Sequence, residues 1–313
     1  MSHKNYLLTF ISFIFATLLA CAVAEFGARA IPSPYKTKFD AITKNSIHVK
    51  NLILGSSHFY FGVNPKHFTE PTFNGANVSQ DFKYDLFFLE LALDHQKSIT
   101  HVVVPLSVFS LYSELDSGIE SWRKYSYRIY WKDKNYPASE FFDISNHSLI
   151  FSSQSKLGLV KRAAEKILDQ DTKQDWSSDG WGNGYASVAD ASSTLQATGK
   201  QAAARHQKDA KLSKKSLDSL NKIVEVCRGR GIKLLIVTPP AYSSYRENIE
   251  NSRLDTIAMV TSKITNSNPS VKYVNYFSDT SFDSKDYFDA DHLNHHGAEK
   301  LSRKLDDVIT SWK

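Results

Sequence analysis

From residue 48 onward, short apolar runs alternate with longer amphipathic segments. The apolar runs have the length and composition of buried strands, and they cover Val49–Leu54, Thr72–Asn74, His101–Val104, Lys233–Thr238 and Lys272–Tyr276. Between them, Tyr84–His95 and Leu217–Cys227 carry apolar residues at helical spacing, and the second of these helices is expected to stop near Gly229 and Gly231. The alternation predicts an α/β fold with a parallel sheet flanked by helices.

The segment before this pattern contains an uncharged apolar run, Tyr6–Ala24. A helix of that length spans about 28 Å, close to the roughly 30 Å hydrocarbon thickness of a bilayer. We therefore predict an N-terminal transmembrane helix, with residues 1–30 as anchor, 31–47 as linker and 48–313 as the folded domain. Two alternatives are a cleaved signal peptide, since Lys4 precedes the run, and lipidation at Cys21, which follows a lipobox-like Leu-Leu-Ala.

Composition narrows the classes of function. The net charge of +5 is modest for 313 residues and the basic residues are scattered, so no nucleic-acid partner is expected. The content of 42% hydrophobic and 23% charged residues is ordinary for a globular protein. Cys21 lies in the apolar run and Cys227 in a helical stretch, so they form no disulfide within the domain that would indicate the compartment.

Two short motifs lie at opposite ends of the predicted domain. Gly55-Ser56-Ser57-His58 follows the first strand, and Asp289-Ala290-Asp291-His292 precedes the last helical segment. A serine hydroxyl attacks an acyl carbon only if a base removes its proton and a third group orients that base. Ser57, His292 and Asp289 could supply these three functions if the fold brings the motifs together.

The two motifs resemble the SGNH/GDSL hydrolase superfamily, and the resemblance covers most of residues 48–310. It implies that Ser57 is the nucleophile and that Asp289 and His292 form the family's Asp-x-x-His block. Three stretches are similar to a membrane-tethered branch that includes partner proteins of polysaccharide O-acetylation, such as the alginate O-acetyltransferases, and they are Phe73–Asn77, Ile236–Pro240 and Phe288–Ala298. The resemblance implies a flavodoxin-like parallel sheet (SGNH hydrolase-like), and the triad chemistry requires no cofactor.

The expected oxyanion hole departs from the superfamily. Many members carry Gly-x-Asn-Asp after the third strand, but here that strand continues into Pro105–Phe109. The backbone N–H of Ser57 and a donor near Gly75 remain as candidates, and the side-chain candidates are Asn74, Asn77 and Ser107. Removing one donor of this kind costs an enzyme about 3 to 4 kcal/mol of transition-state stabilisation, so fast general esterase activity is not expected.

Residues 107–209 interrupt the alternation and contain clustered aromatic side chains, at Trp122, Tyr125, Tyr127, Tyr130 and Trp131. A glycine-rich turn, Asp179–Gly184, follows them. We interpret the segment as an insertion over the active-site face, since ligands of open parallel sheets bind beyond the carboxyl ends of the strands. Its aromatic rings would either stack on sugar rings or pack a small core of their own. The basic stretch Lys200–Lys215 is interpreted as a solvated helix surface.

A metal site is the chemical alternative near the second motif. Carboxylate and imidazole side chains are mixed within eight residues there, at Asp289, Asp291, His292, His295 and His296. No His-Glu-x-x-His or repeated ligand spacing is present, so no metal is expected. We interpret His295 and His296 as exposed residues at the start of a helix, and we expect His58 to point to the opposite face of the local backbone.

The motifs and the resemblance together predict a membrane-anchored acyl-transfer enzyme whose catalytic domain is extracytoplasmic, in the periplasm or at the cell surface. It would be an esterase if water accepts the acyl group, or an O-acetyltransferase acting on cell-envelope or secreted polysaccharide. The expected partners are an acylated glycan and a membrane-bound acyl-donor protein. Flanking charge does not by itself favour this orientation, because Arg29, Lys36 and Lys38 outnumber Lys4. The alternative is a non-catalytic member of the same fold that binds glycan or organises a cell-envelope complex.

Overall fold

The structure, a computed structural model, describes residues 3–44, 47–167, 174–185, 192–209 and 211–312. The chain divides into two compact units. The first, here called the N-terminal unit, contains residues 1–36 and 122–174, and the second, the sheet unit, contains residues 37–121 and 175–313.

The strands are β1 (Asn51–Ile53), β2 (Thr72–Asn74), β3 (His101–Pro105), β4 (Lys233–Thr238) and β5 (Val271–Asn275). The helices are α1 (His3–Ala30), α2 (Pro34–Thr43), α3 (Ser57–Gly62), α4 (Phe82–His95), α5 (Lys124–Tyr130), α6 (Leu149–Ser152), α7 (Lys156–Ile167), α8 (Ser192–His206), α9 (Lys214–Gly229), α10 (Ser243–Arg246), α11 (Asn251–Ser267) and α12 (His295–Thr310). Short 3₁₀ turns are found at Pro65–His67, Ser121–Arg123, Ala138–Glu140, Ile144–Asn146 and Ser284–Asp286.

The five strands form one parallel sheet in the order β2-β1-β3-β4-β5. The prediction of an α/β fold with a parallel sheet is therefore confirmed, and β2 and β4 have the predicted bounds. The residues of β1 are all buried, and so are those of β4 after Lys233, because the sheet is covered on both faces; Leu52–Ile53 and Leu234–Val237 are accordingly apolar. In this doubly wound order the chain turns in opposite directions after β1 and after β3, so a crevice is expected at the carboxyl ends of these two strands.

Helix α12 fixes the C-terminal part of the chain against the sheet. Its residues Leu301, Leu305 and Ile309 recur at helical spacing and are buried in the same core cluster as Ile53 of β1 and Val103 of β3. The segment that immediately precedes α12 is thereby held near the carboxyl end of β1. That segment contains the second sequence motif.

A glycine is required where the chain leaves β1. Gly55 has φ +120, a conformation that residues with a side chain rarely adopt. A Cβ atom at this position would lie 2.1 Å from Cγ and 2.4 Å from Cδ of Pro105, which belongs to the rigid ring of a residue in the neighbouring strand. The backbone conformation and the close approach of β3 therefore both exclude a larger residue.

Replacing Gly55 with alanine is expected to destabilise the chain by about 2 to 4 kcal/mol, because the new methyl group must displace Pro105 and the backbone is strained. The melting temperature of the detergent-solubilised chain would measure this. The matched control is Gly229→Ala at the end of α9, where a Cβ atom would meet nothing within 4 Å. That control should be neutral or gain up to about 1 kcal/mol, and an equal melting temperature for the two variants would contradict the account.

Helix α1 is long and apolar enough to cross a membrane, as a signal sequence would also be. The candidate span Asn5–Ala30 has 26 residues, which correspond to about 39 Å of helix. Within the N-terminal unit, Ala28 of α1 packs with Leu149 and Leu159. Glu25 of α1 accepts hydrogen bonds from Ser148 Oγ at 2.8 Å and from the Leu149 N–H at 3.1 Å, so its carboxylate caps α6.

The structure revises the predicted linker and insertion. Residues 34–43 of the predicted linker form α2 rather than a flexible connection. The predicted insertion is shared between the units, since residues 122–174 belong to the N-terminal unit and the remainder to the sheet unit. Its aromatic residues form a small core, in which Tyr127 and Trp131 are buried and the Trp131 indole N–H donates to Tyr35 O at 2.8 Å. Within these predicted segments, residues 45–46, 168–173 and 186–191 lie outside the described residues.

The basic stretch does not form one helix surface. Helix α8 ends at His206 and α9 begins at Lys214, because Ser213 caps the second helix by accepting a hydrogen bond from the Ser216 N–H at 3.0 Å. Residue 210 of this stretch lies outside the described residues. The end of α8 instead places Arg205 and His206 in a cleft of the sheet unit.

Candidate active site

Ser57 is positioned by the turn that follows β1. Ser56 has an extended backbone and precedes α3, and Ser57 is the first residue of that helix. The first N–H groups of a helix have no partner within the helix. Among the described residues, the backbone N–H of Ser57 has no hydrogen-bond partner. The turn therefore presents the Ser57 hydroxyl and its own N–H together.

His292 and Asp289 lie in the turn that precedes α12. Asp289 Oδ1 accepts hydrogen bonds from the backbone N–H groups of Asp291 at 3.1 Å and of His292 at 2.8 Å, so this carboxylate stabilises its own turn. His292 Nδ1 lies 2.9 Å from Asp289 Oδ1, and His292 Nε2 lies 2.8 Å from Ser57 Oγ. The structure thus brings the three predicted site residues into one hydrogen-bonded chain, although 235 positions separate Ser57 from His292.

The imidazole of His292 is buried beside two carboxylates. Burial alone would lower the pKa of His292, but the charge of Asp291 and the hydrogen bond that His292 donates to Asp289 outweigh it, so the pKa is raised above its ordinary value of 6.5. A raised pKa means that the protonated ring is stabilised relative to the neutral ring. A base that takes a proton from Ser57 needs this stabilisation.

A cleft of about 480 Å³ opens beside Ser57 and His292, and all its lining residues belong to the sheet unit. Its apolar lining comes from Val78, Phe82, Pro105, Phe109, Leu115 and Ile119. Hydroxyl and carboxyl groups also line it, including those of Ser79, Ser110, Ser113, Glu114 and Glu120. A cleft of this size and mixed character is typical of small-molecule sites.

Tyr185, the middle ring of an aromatic stack, lines the cleft beside the histidine. Tyr185 lies between Phe61 and Phe288, with ring centroids 3.7 Å and 4.0 Å away and nearly parallel planes. Its ring meets that of His292 edge-on at 5.4 Å. Sequence reasoning missed Tyr185, because its position depends on two aromatic partners from distant segments.

Two of the predicted oxyanion donors form hydrogen bonds within the fold instead of facing the cleft. Asn74 is fully buried, and its amide nitrogen donates to the carbonyl oxygens of Phe59 at 2.8 Å and Val63 at 2.7 Å. The Gly75 N–H donates to Ile53 O at 2.7 Å. These groups are structural, because the first holds α3 in place and the second continues the pairing of β1 with β2.

The two remaining side-chain candidates are also engaged. Asn77 Nδ2 donates to Gln80 Oε1 at 3.0 Å, and Ser107 Oγ lies 2.8 Å from His58 Nδ1. Of the predicted donors, only the Ser57 N–H has no partner within the described part of the chain.

Two backbone donors that sequence reasoning missed line the same cleft. The N–H groups of Val78 and Ser79 have no hydrogen-bond partner among the residues that the structure describes. Ser79 has φ 60, a left-handed conformation that is uncommon outside glycine and often found at functional sites. They join the Ser57 N–H as candidates for the oxyanion hole, and no sequence pattern marks them.

His58 lies inside the site rather than on the opposite face, contrary to the prediction. Its ring is buried, and its Nε2 lies 3.5 Å from Asp291 Oδ2. His206 Nε2 lies 3.8 Å from the same oxygen, and Arg205 Nη2 lies 3.9 Å from it. Sequence reasoning missed this cluster because its histidines come from β1–α3 and from α8, far from Asp291 along the chain.

The other two histidines of the second motif do not join this cluster. His295 Nε2 lies 3.0 Å from Asn183 O, and its side chain is half-buried. His296 is exposed at the start of α12, as predicted. Of the five residues of the metal alternative, Asp289, Asp291 and His292 have ligand-type atoms within 4.8 Å of one another, and His295 and His296 lie outside that group.

A buried carboxyl group lies behind the nucleophile turn. Asp85 of α4 is 1% exposed, and its Oδ1 accepts hydrogen bonds from the Gly55 N–H at 2.7 Å and from Gln80 Nε2 at 2.6 Å. Burial raises the pKa of Asp85 to about 7, although the two hydrogen bonds oppose the rise. The folded chain therefore keeps a proton that the unfolded chain releases near pH 3.8. The free energy of unfolding consequently falls as the pH rises from about 4 to about 8.

Replacing Asp85 with asparagine is expected to remove this pH dependence, because the amide oxygen still accepts from Gly55 and carries no charge. The free energy of unfolding of the variant minus that of the wild type should therefore increase by about 2 to 3 kcal/mol as the pH rises from 5 to 8. Melting temperatures across this range measure the gain. The exposed Asp94→Asn on the same helix is the control and should follow the wild-type curve; a D85N curve parallel to both would show that Asp85 ionises normally.

No protein-family model matches the chain, and no curated protein matches it. The chain is similar to a solved structure described as a "putative platelet activating factor" from Streptococcus pneumonia, with 9% identity over 96% of this chain and 99% of that chain. The TM-score is 0.46. A structural likeness this weak does not indicate a function.

Proposed function

We propose that this chain is a serine-dependent acyl-transfer enzyme of the SGNH type with a flavodoxin-like sheet. Ser57 is the nucleophile, His292 is the base and Asp289 orients the imidazole. The observation that carries the proposal is the continuous chain from Ser57 Oγ through both ring nitrogens of His292 to the Asp289 carboxylate. Its place supports the proposal, because Ser57 follows the carboxyl end of β1, where sheets of this order bind ligands.

In the first step, His292 Nε2 takes the proton of Ser57 Oγ while this oxygen attacks the carbonyl carbon of the ester. The tetrahedral oxyanion is met by the N–H of Ser57 and by those of Val78 or Ser79. The bond from carbon to the leaving oxygen then breaks, and His292 returns the proton to the leaving alcohol. Asp289 stabilises the imidazolium throughout, and the acyl group remains on Ser57.

In the second step, His292 removes a proton from the acceptor, whose oxygen attacks the acyl carbon; the bond from that carbon to Ser57 Oγ breaks, and His292 returns the proton to this oxygen. Water as acceptor makes the chain an esterase, and a glycan hydroxyl makes it an O-acetyltransferase acting on cell-envelope or secreted polysaccharide. The hydroxyl and carboxyl groups that line the 480 Å³ cleft support a sugar as the ligand.

Helix α1 supports a membrane location for this reaction. As a retained anchor it would hold the sheet unit on the extracytoplasmic side, beside a membrane-bound acyl donor, and raise the effective concentration of that donor. Alkaline extraction of membranes tests retention, because a spanning chain stays in the pellet and a processed chain is released. Protease added to intact cells or spheroplasts tests the orientation.

Labelling of the detergent-solubilised full-length chain with a fluorophosphonate tests the proposed activation of Ser57. We expect the label on Ser57, identified by peptide mass, and no label after His292→Ala. Absence of label in the wild type would favour the non-catalytic alternative, which gains support from the engagement of the Asn74, Gly75 and Asn77 donors. If the label is found on Ser57, unlabelled chain would next be incubated with an acetyl donor, with and without a soluble polysaccharide. More acetyl transferred to the polysaccharide than released to water would indicate a transferase, and the reverse an esterase.

A further inference from the structure

A second cluster of ligand-type side chains lies next to the proposed triad, and none of its members belongs to the triad. It consists of His58, His206 and Asp291, whose ligand atoms all lie within 4.8 Å of one another. We propose that these three side chains bind a divalent transition-metal ion of the zinc type. The ligand atoms are Nε2 of each histidine and Oδ2 of the aspartate.

The separations within the cluster suit a shared metal ion better than direct hydrogen bonds. Asp291 Oδ2 lies 3.5 Å from His58 Nε2 and 3.8 Å from His206 Nε2. Strong hydrogen bonds between nitrogen and oxygen are about 2.7 to 3.2 Å long. Tetrahedral zinc with bonds of about 2.0 to 2.2 Å places its ligand atoms about 3.4 Å apart. Small side-chain rotations therefore bring all three atoms to bonding distance of one ion.

Each histidine is held by its other ring nitrogen. His58 Nδ1 lies 2.8 Å from Ser107 Oγ, and His206 Nδ1 lies 2.8 Å from the Tyr245 hydroxyl. Histidines that bind metals commonly donate their second N–H to such a group, which fixes the ring and turns the free nitrogen toward the ion. Both Nε2 atoms here are directed by this arrangement toward one carboxylate oxygen.

The burial of the cluster also suits a cation. The Asp291 side chain is 2% exposed. A carboxyl group removed from solvent in this way is costly as an anion unless positive charge or hydrogen-bond donors lie beside it, and a metal ion bound to Oδ2 would supply that charge.

An ion can reach the cluster from the cleft. His206 lines the cleft, and its side chain is 15% exposed. The cation that competes for Asp291 is Arg205, whose Nη2 lies 3.9 Å from Oδ2 and whose side chain is 57% exposed. A loose contact by a largely solvated guanidinium is weak, so Arg205 can move aside without breaking a buried ion pair.

The test measures binding of Zn²⁺ by equilibrium dialysis and of Co²⁺ by its visible absorption, using the detergent-solubilised full-length chain purified without a polyhistidine tag. We expect one ion per chain. His206→Gln and His58→Gln should each weaken binding by at least about 100-fold, and Ser107→Ala or Tyr245→Phe by about 10- to 100-fold. His296→Ala removes an exposed histidine outside the cluster and should bind as the wild type does, and Arg205→Gln, which removes a competing cation, should bind at least as tightly.

Ser57→Ala separates the two proposals, because it removes the nucleophile and leaves the cluster intact. If this variant binds the metal ion and hydrolyses no ester, the metal site is supported independently of the proposed enzyme activity. The proposal is overturned if the wild type binds neither ion, or if the His206→Gln chain, shown by circular dichroism to be folded, binds as tightly as the wild type. Loss of binding in His296→Ala with retention in His206→Gln would place the ion elsewhere and overturn it equally.

Discussion

Replacing Ser57 with alanine is expected to reduce hydrolysis of p-nitrophenyl acetate by about 10⁴-fold. The substitution removes the hydroxyl that His292 Nε2 contacts at 2.8 Å, and the residual rate comes from binding and the oxyanion donors. The effect should lie in kcat rather than KM, because the hydroxyl contributes to bond formation and little to ground-state binding. Steady-state kinetics of the full-length chain in detergent measures it.

The matched control is the neighbouring serine of the same motif. Ser56 Oγ is buried and has no hydrogen-bond partner among the described residues, and it does not cap α3. Ser56→Ala should therefore retain activity within about threefold, since it breaks no interaction and leaves the helix start unchanged. Full activity in Ser57→Ala, or its loss in Ser56→Ala alone, would show that the nucleophile has been assigned to the wrong residue.

Replacing Asp289 with asparagine is expected to reduce kcat by about 10³-fold while KM changes little. The carboxylate accepts from His292 Nδ1 at 2.9 Å and thereby leaves Nε2 free to accept the proton of Ser57. An amide can instead donate to Nδ1 and favour the tautomer whose Nε2 carries a proton. The loss should be smaller than that of Ser57→Ala, because Asp291 remains 3.5 Å from Nδ1 and keeps part of the negative charge.

Asp255→Asn, on an exposed face of α11, is the control for removing one negative charge. It should have the wild-type rate. Because Asp289 also holds the turn before α12, the melting temperature of Asp289→Asn must be measured beside its activity. A rate equal to that of the wild type, in a variant that remains folded, would show that Asp289 does not orient the base.

The fold of the sheet unit could be predicted well from sequence. The runs that became β2 and β4 have the predicted bounds, and the other strands differ by one to three residues at their ends. Burial makes the central part of β3 and of β4 a run of apolar residues, which is a local signal. The N-terminal helix was found for the same reason, since spanning length and lack of charge are properties of one contiguous segment.

The oxyanion hole and the linker could not be predicted in this way. Asn74 and Gly75 occupy positions that suit donors in sequence, but their hydrogen bonds go to α3 and β1. The N–H groups of Val78 and Ser79 carry no sequence signal, because every residue except proline has one and only the backbone path decides where it points. The predicted linker became α2 because its apolar side, with Ile42, is buried.

The local patterns of the sequence thus determined the class of fold and the apolar N-terminal helix. They also singled out Ser57, His292 and Asp289, near the two ends of the sheet unit, as candidate site residues. The packing of α8, α3 and the turn before α12 was needed to bring His58 and His206 to Asp291 and to seat Tyr185 between Phe61 and Phe288. Within one helix or strand, the buried positions recur with the period of that element, so the pattern can be read from the sequence. Contacts between segments far apart along the chain have no such period, and they exist only once the whole core has packed.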